Sequence, residues 1–399
     1  MQHICVLGLG YIGLPTVVTL ANAGFDVCGV DIRSDVVEDL SAGRLPIEEP
    51  GLEEAFLSAR ATGRLSFATE VREAEAFIIT VQTPHKTRAD GVCEAELRHV
   101  DSAARSVGSV LRPGNLVVLE STVPPGTSRW MEEILAETSG LSKESFHVAH
   151  CPERVIPGRI LKELRDNDRI VGARTPEAIG LACDIYGRVV EKGVLRCTDD
   201  LTAELCKLVE NTFRDINIAY ANELSVVAGR LGVDVFRLIE LANCHPRVDI
   251  LSPGVGVGGH CIAVDPWFIH GLLPDCTPLI AAARRVNDGK PEFVAETVTR
   301  MLPPGGRVCV LGLAYKPDIE DLRESPSLTL CRELRARGFA VSACEPHVCD
   351  DAIEGFENLS LEQALQEDFL VLAVGHTLFK ENCDRIAARP HYDCVGICR

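Results

Sequence analysis

The sequence predicts an α/β fold, two parallel-sheet units joined by a long helix. Three observations predict it. An apolar strand runs straight into G-x-G-x-x-G over Ile4–Gly13. A proline-free helical run extends from Thr202 to about Leu231. A fresh strand, Arg307–Leu313, then follows the linker Leu302-Pro-Pro-Gly-Gly306. These breaks divide the chain into residues 1–195, 196–300 and 301–399.

In the first segment a helix from Leu14 to Ala23 follows the glycines, with Gly24 placed to cap its C-terminus. A second strand, Phe25–Asp31, ends in an acid 18 residues after Gly13. Strand, glycine loop, helix, strand and terminal acid together form a dinucleotide-binding unit. Gly8, Gly10, Tyr11, Ile12 and Gly13 would line the pyrophosphate at the helix N-terminus. Asp31 would accept hydrogen bonds from the adenosine ribose and repel a 2′-phosphate, which favours NAD over NADP, although Arg33 stands nearby. Further strands at Ala76–Val81, Leu116–Glu120 and Phe146–Ala149 lead into Thr83, Thr122 and Glu153. Ligands of open parallel sheets bind beyond the C-terminal strand ends, where these three residues fall. For Thr83, plain turn chemistry is an equal reading.

The central helix carries Lys207, Asn211 and Arg214 at i, i+4 and i+7, on one face. Such a stripe is usually a solvated face. Here it lies among apolar residues on a long helix, which favours a cleft. The next signal is Gly254-Val-Gly-Val-Gly-Gly-His-Cys-Ile-Ala-Val-Asp265, with four glycines in six residues before Cys261. Glycines allow close backbone approach to a ligand. A helix starting near Cys261 would favour its thiolate, the nucleophilic form. The competing reading is a tight turn ahead of a buried, inert cysteine.

The last segment repeats the strand–helix–strand pattern, with a helix from about Ser327 to Arg337 and strands Phe339–Cys344 and Phe369–Val374. It has no G-x-G-x-x-G, so a second dinucleotide is not expected. A nucleotide diphosphate on Lys316 and backbone amides fits instead.

Composition narrows the class. The 399 residues suit two or three domains, and 46% hydrophobic with 25% charged residues is ordinary for a globular protein. A net charge of −18 argues against nucleic acid or an anionic membrane as partner. No apolar run approaches the roughly 20 residues of a membrane span. The 17 cysteines are scattered, with no C-x-x-C, and the chain opens on a strand rather than a leader. They are therefore expected to be reduced thiols in a cytoplasmic protein, without a metal-ligand cluster.

The motifs GLGYIGLPT, HCPERVIPG, ELCKLVENTFRDINIAYANEL, CHPRV, GVGVGGHCIAVDPWFI and YKPDIEDLRESP occur in that order. Together they resemble the UDP-glucose/GDP-mannose dehydrogenase superfamily over nearly the whole chain. The resemblance implies a Rossmann-type NAD domain, a central long-helix dimerisation region and a smaller Rossmann-like nucleotide-sugar domain. It also implies a four-electron oxidation of a sugar C6 alcohol to a carboxylate, with two NAD per turnover. The motif wording points to UDP-N-acetyl-D-mannosamine as the sugar. UDP-glucose members usually carry a second acid four residues after Glu153, where this chain has Pro157.

Residue roles follow from the same resemblance. Cys261 would hold the aldehyde as a thiohemiacetal and then a thioester. Lys207 is the acid/base and oxyanion candidate, and Asn211 its partner. Asp265 and Thr122 would position the hydrolytic water, with Glu153 next in line. Arg154, Val155, Lys207, Asn211, Arg214, His245, Arg247 and Gly258 would hold the nucleotide sugar. Tyr315 and Lys316 would take its nucleotide half, and Arg323 a phosphate on the cofactor side. In an acidic chain, this gathering of cations suits a diphosphate. A His260–Cys261 pair is disfavoured, because neighbouring residues on a forming helix point apart, and Cys151 reads as packing. Homodimerisation is expected, with Arg247 reaching the neighbouring site. UDP-N-acetyl-D-glucosamine, differing only at C2, stays open as the substrate. So do a two-electron hydroxyacid-type NAD dehydrogenase and a non-enzymatic NAD-dependent binding protein.

Overall fold

The computed structural model describes residues 1–87 and 93–398. It divides into two compact units, Met1–Val209 and Glu210–Arg399.

The first unit is built on an eight-stranded sheet. Its strands are β1 (His3–Leu7), β2 (Asp26–Val30), β3 (Leu65–Ala68), β4 (Ala76–Ile79), β7 (Leu116–Leu119), β8 (His147–His150), β9 (Arg169–Ala173) and β10 (Leu195–Thr198). The intervening β5 (His85–Thr87) and β6 (Cys93–Ala95) pair only with each other. The spatial order is β10-β9-β8-β7-β4-β1-β2-β3. β1, β4 and β7 are continuous apolar runs because helices cover both faces; Ile78, Val117 and Leu119 are wholly buried. The sheet is not parallel throughout, as the sequence led us to expect. β9 pairs antiparallel with β8, and β10 follows β9, so two edge strands run against the rest.

The second unit centres on a four-stranded parallel sheet, ordered β12-β11-β15-β16. These are β11 (Arg307–Leu311), β12 (Ala340–Cys344), β15 (Phe369–Leu372) and β16 (His391–Asp393), and a short hairpin, β13 (Ala352–Ile353) with β14 (Phe356–Glu357), lies between β12 and β15 in the chain. The fourth strand was not evident in the sequence.

A 32-residue helix, Asp200–Leu231, carries the chain from one unit to the other. In the first unit its start is pinned by Asp200, which accepts two hydrogen bonds from Arg129 at 2.8 Å. Glu204 adds a second tie, accepting the Gly126 and Ser128 N–H groups at 2.6 and 2.7 Å. In the second unit the helix packs its polar residues against the helix Pro278–Met301. There Asn222 donates to Asn287 at 2.9 Å and accepts the Gly254 N–H at 2.9 Å. Asn287 and Arg284 both donate to Asp215, at 2.8 and 2.6 Å. Asn217 accepts the Leu251 N–H at 3.0 Å and donates to the Asp249 carbonyl at 2.9 Å.

The cysteines depart from expectation at one place. Cys383 and Cys398 form a disulfide, closing the C-terminal segment on the short helix Cys383–Ala387. A sixteen-residue loop of this kind escapes any spacing rule, since its closure depends on where β16 returns the chain.

His150, the last residue of β8, is fully enclosed, and burial pushes its imidazole down to about 3. The unfolded chain therefore binds a proton near pH 6.5 that the folded chain refuses. Stability is intact above pH 6.5 and is lost as pH falls toward 3, at about 1.4 kcal/mol per pH unit. Denaturant titrations between pH 7 and 4.5 should show this slope, and His150→Leu should flatten it.

Candidate active site

The glycine loop of the first unit sorts its glycines by purpose. Gly8 takes φ +95°, and a Cβ there would sit 3.2 Å from the Thr80 backbone. A Cβ on Gly13 would lie 1.7 Å from the Gly8 carbonyl oxygen, so no other residue fits. Gly10 is different: an added Cβ would meet nothing within 4 Å. The packing of the protein itself does not require glycine there. The helix Gly13–Asn22 that follows has no side-chain cap at Ile12; the loop backbone caps it instead, with the Leu14 N–H on the Gly10 carbonyl at 3.1 Å, and Pro15 brings no N–H to the first turn. Asp31, at the end of β2, faces the same loop and accepts the Leu9 N–H at 2.9 Å and the Arg33 N–H at 3.0 Å. Tyr11 stands exposed at the loop tip. These residues fit NAD.

Two of the strand-end residues meet. The Thr83 hydroxyl donates to the Thr122 carbonyl at 2.6 Å, joining the segments after β4 and β7. Glu153 turns inward. Its Oε1 accepts the N–H groups of Arg154 and Val155 at 2.6 and 3.0 Å, and its Oε2 lies 3.2 Å from buried Arg169. Arg154 and Val155 are half-buried, and Arg154 donates to the Asp168 carbonyl at 3.1 Å. Lys207 is half-buried on the long helix, one turn before Asn211.

In the second unit Asn211 donates to Asp265, both buried, at 2.6 Å. It uses one amide N–H of Asn211 and leaves another. Cys261 does not begin the helix; Asp265 does, in the helix Asp265–Leu272. The Cys261 carbonyl accepts the Asp265 N–H at 2.8 Å, so nucleophile candidate and carboxylate are one turn apart by a fixed bond. The loop glycines also pack against the protein itself. A Cβ on Gly258 would be 2.6 Å from the Glu324 carbonyl, and one on Gly259 would be 2.9 Å from the Tyr315 ring. They admit the protein's own 315–326 segment, with the Gly259 N–H bonded to the Arg323 carbonyl at 3.0 Å. Gly256 packs on the Asn287 carbonyl, which Pro291 in the same helix cannot engage for want of an N–H.

That packing brings Arg323 into the field of Cys261 and Tyr315. Asp321 grips the guanidinium through hydrogen bonds at 3.0 and 3.1 Å and raises its pKa further, so the cation is permanent. A fixed positive charge near Cys261 favours its thiolate. This neighbour of the cysteine was not evident in the sequence, because 62 residues separate them. His260 is exposed, and its charge is felt at Asp321. Arg214, Lys316, His245 and Arg247 are exposed, and the Arg247 guanidinium lies 3.4 Å from the His245 ring nitrogen.

No metal-ligand cluster was expected from residue spacing, yet the fold brings ligand atoms of Asp318, His347 and His376 within 4.8 Å of one another. His376 is committed: its Nδ1 accepts the Asp318 N–H at 3.0 Å, and its Nε2 lies 3.1 Å from Glu345. We read the group as a hydrogen-bonded junction of the second unit.

The glycines give a paired test. Gly13→Ala should cost more than about 4 kcal/mol in unfolding free energy. Gly10→Ala should change stability by less than about 1 kcal/mol. It should nonetheless weaken NADH binding, read by fluorescence titration, about tenfold, which is about 1.4 kcal/mol.

Comparison with known proteins follows the same order along the chain. Residues 2–190 match the NAD binding domain of the UDP-glucose/GDP-mannose dehydrogenase family, 201–289 its central domain and 309–398 its UDP binding domain. The chain is 43% identical over 413 residues to an NDP-N-acetyl-D-galactosaminuronic acid dehydrogenase of Ralstonia nicotianae, covering 99% of this chain and 96% of that one. It is 43% identical over 385 residues to a UDP-N-acetyl-D-mannosamine dehydrogenase of Methanococcus maripaludis, covering 95% and 87%. The structure of a UDP-D-ManNAc dehydrogenase from Pyrococcus horikoshii superposes with a TM-score of 0.91 at 39% identity, covering 100% of this chain and 96% of that one. The glycine loop thus falls in the first of these domains, the long helix and cysteine loop in the second and the four-stranded sheet in the third, and the chain belongs to the UDP-glucose/GDP-mannose dehydrogenase family.

Proposed function

We propose that this protein oxidises the C6 alcohol of UDP-N-acetyl-D-mannosamine to the carboxylate. The observation that carries the reading is the fixed Cys261–Asp265 turn, with Asn211 bonded to Asp265 and Arg323 near the thiol. A two-electron dehydrogenase has no use for this assembly. We read residues 1–195 as the NAD-binding segment, 196–300 as the carrier of the dimer helix and nucleophile, and 301–399 as the holder of the UDP half.

Gly8, Gly10, Tyr11, Ile12, Gly13, Asp31, Thr83 and Thr122 would hold NAD, with Arg323 toward a phosphate, and NAD so held would supply the hydride acceptor for both oxidations. Lys207 takes the alcohol proton and balances negative charge on the developing oxygen, and Asn211 donates its remaining N–H to that oxygen. The Cys261 thiolate adds to the aldehyde carbon, so the reactive intermediate stays attached as a thiohemiacetal. Its oxidation gives a thioester. Asp265 and Thr122 position the water that cleaves it, and Glu153 contributes through the turn it holds. Cleavage forms the carboxylic acid and returns the thiolate. Overall, one alcohol, one water and two NAD give one carboxylate, two NADH and three protons. Arg154, Val155, Arg214, His245, Arg247 and Gly258 hold the sugar and diphosphate, and Tyr315 and Lys316 the uridine end.

No helix among the described residues is long and apolar enough to cross a membrane. We place the reaction in the cytoplasm, where NAD is supplied. We also propose a homodimer along the long helix. Phe213, Tyr220 and Val227 recur every seven residues there and are 64%, 52% and 47% exposed. Phe213→Glu should shift the protein to a smaller species in sedimentation.

The activity test is NADH formed from limiting sugar nucleotide. UDP-N-acetyl-D-mannosamine should yield two NADH per molecule, and Cys261→Ser should slow acid formation by roughly 10⁴-fold. One NADH per sugar would refute the thioester route. Two NADH from UDP-N-acetyl-D-glucosamine, UDP-glucose or a galactosamine nucleotide would retain the mechanism and change the sugar.

A further inference from the structure

The residue that most constrains the sugar-binding turn is one the mechanism does not use. Arg169, on β9, is buried with its side chain 7% exposed, between Glu120 at 0% and Glu153 at 9%. Its Nη2 donates to Glu120 Oε1 at 2.6 Å and lies 3.2 Å from Glu153 Oε2. Its Nε donates to the Cys151 sulfur at 3.0 Å, and the guanidinium stacks 4.3 Å from the Tyr186 ring centroid. Tyr186 donates to the same Glu120 oxygen at 2.6 Å. The guanidinium is thus fixed in plane and position by three neighbours before it reaches Glu153.

One cation faces two buried acids, and they do not share it equally. Burial raises the Glu120 carboxyl toward its neutral form, against the pull of Arg169. Glu120 also has the Tyr186 hydroxyl. Arg169 thus faces both acids, 2.6 Å from Glu120 and 3.2 Å from Glu153. A buried carboxylate that loses its counterion must take up a proton or turn toward solvent.

Glu153 has a second task, carried by its other oxygen. Residues 151–159 form no regular secondary structure. Several backbone N–H groups here end on carboxylates instead: Arg154 and Val155 on Glu153, Ile156 on Glu163, and Gly158 with the following Ile160 on Glu49 at 2.8 Å each. Backbone bonds tie Cys151 to Leu119 and Glu153 to Glu120, and beyond them the Glu153 carboxylate holds the turn at Arg154 and Val155. The Arg154 side chain returns to β9 as well, at the carbonyl of Asp168 beside Arg169.

We propose that Arg169 is a positioning residue: by holding the Glu153 carboxylate it sets the turn that presents Arg154 and Val155 to the nucleotide sugar. The inference rests on the assignment of Arg154 and Val155 to sugar binding made above. Arg169 touches neither substrate nor cofactor.

The experiment is a double-mutant cycle on the full-length protein, with KM for the sugar nucleotide and KM for NAD measured separately. Arg169→Met should lower kcat/KM for the sugar by about 10- to 100-fold while KM for NAD stays within about twofold. Arg169→Lys, which keeps a charge facing Glu153, should recover most of the loss. Glu153→Gln should produce a similar defect, and Arg169→Met with Glu153→Gln should be little worse than either alone. Additive losses would overturn the proposal, as would equal rises in both KM values, the signature of general loosening. If Arg169→Met does not fold, Arg169→Gln, which removes the charge and keeps a polar side chain, takes its place in the same cycle with Glu153→Gln. Arg154→Ala separates this inference from the reading beneath it. If it leaves KM for the sugar unchanged, the sugar-binding assignment itself fails. If it raises KM for the sugar while Arg169→Met does not, only the role of Arg169 fails.

Discussion

A buried amide, Asn222, joins three pieces of backbone that have no other reason to meet. It sits on the long helix, donates to Asn287 on a second helix and accepts the N–H of Gly254 at the entrance to the cysteine loop. Asn287 passes the connection to Asp215, which Arg284 neutralises. Every member is buried, so each hydrogen bond is strengthened by the low local dielectric and costly to leave unmade. The consequence is register. Apolar contacts alone would let two long helices slide, whereas a buried amide network has one satisfied arrangement. The cysteine loop inherits that arrangement through Gly254, and Asn217 repeats the device at Leu251.

The same logic governs charge. An excess of 18 negative charges would be hostile to a diphosphate if cations were scattered at random. Instead, the positions of several cations are prescribed by acids. Arg284 is held by Asp215, Arg323 by Asp321 and Arg169 by Glu120 and Glu153. A clamped guanidinium is less mobile than a solvated lysine, and its direction is fixed before a ligand arrives. Arg323 is half-exposed, so its pairing with Asp321 contributes orientation more than stability.

Local signals were legible in the sequence. The glycine loop, the strands flanking it and the end of the long helix at Leu231 follow from periodicity, Gly placement and the absence of Pro, and each agrees with the fold to within a residue or two. The membership of NAD-binding, central and UDP-binding domains was legible in the motifs. What escaped depends on partners far along the chain. The reversed direction of β9 and β10 is decided by pairing with β8, and nothing in Arg169–Ala173 alone encodes it. Asn211 and Asp265 are each recognisable polar residues, but their bond spans 54 positions. The glycines before Cys261 announced close packing without saying against what, and the answer is Tyr315 and Pro326. The disulfide of Cys383 with Cys398 was hidden among scattered thiols for the same reason.

Gly10 and Gly13 look alike in the motif, yet they answer to different judges. Gly13 is required by the fold in every circumstance, since any side chain collides with the Gly8 carbonyl. Gly10 has open space around it, so the fold makes no such demand of it. In a descendant of this chain relieved of its redox duty, Gly13 would persist as a fossil of the architecture, and Gly10 would be among the first letters free to drift.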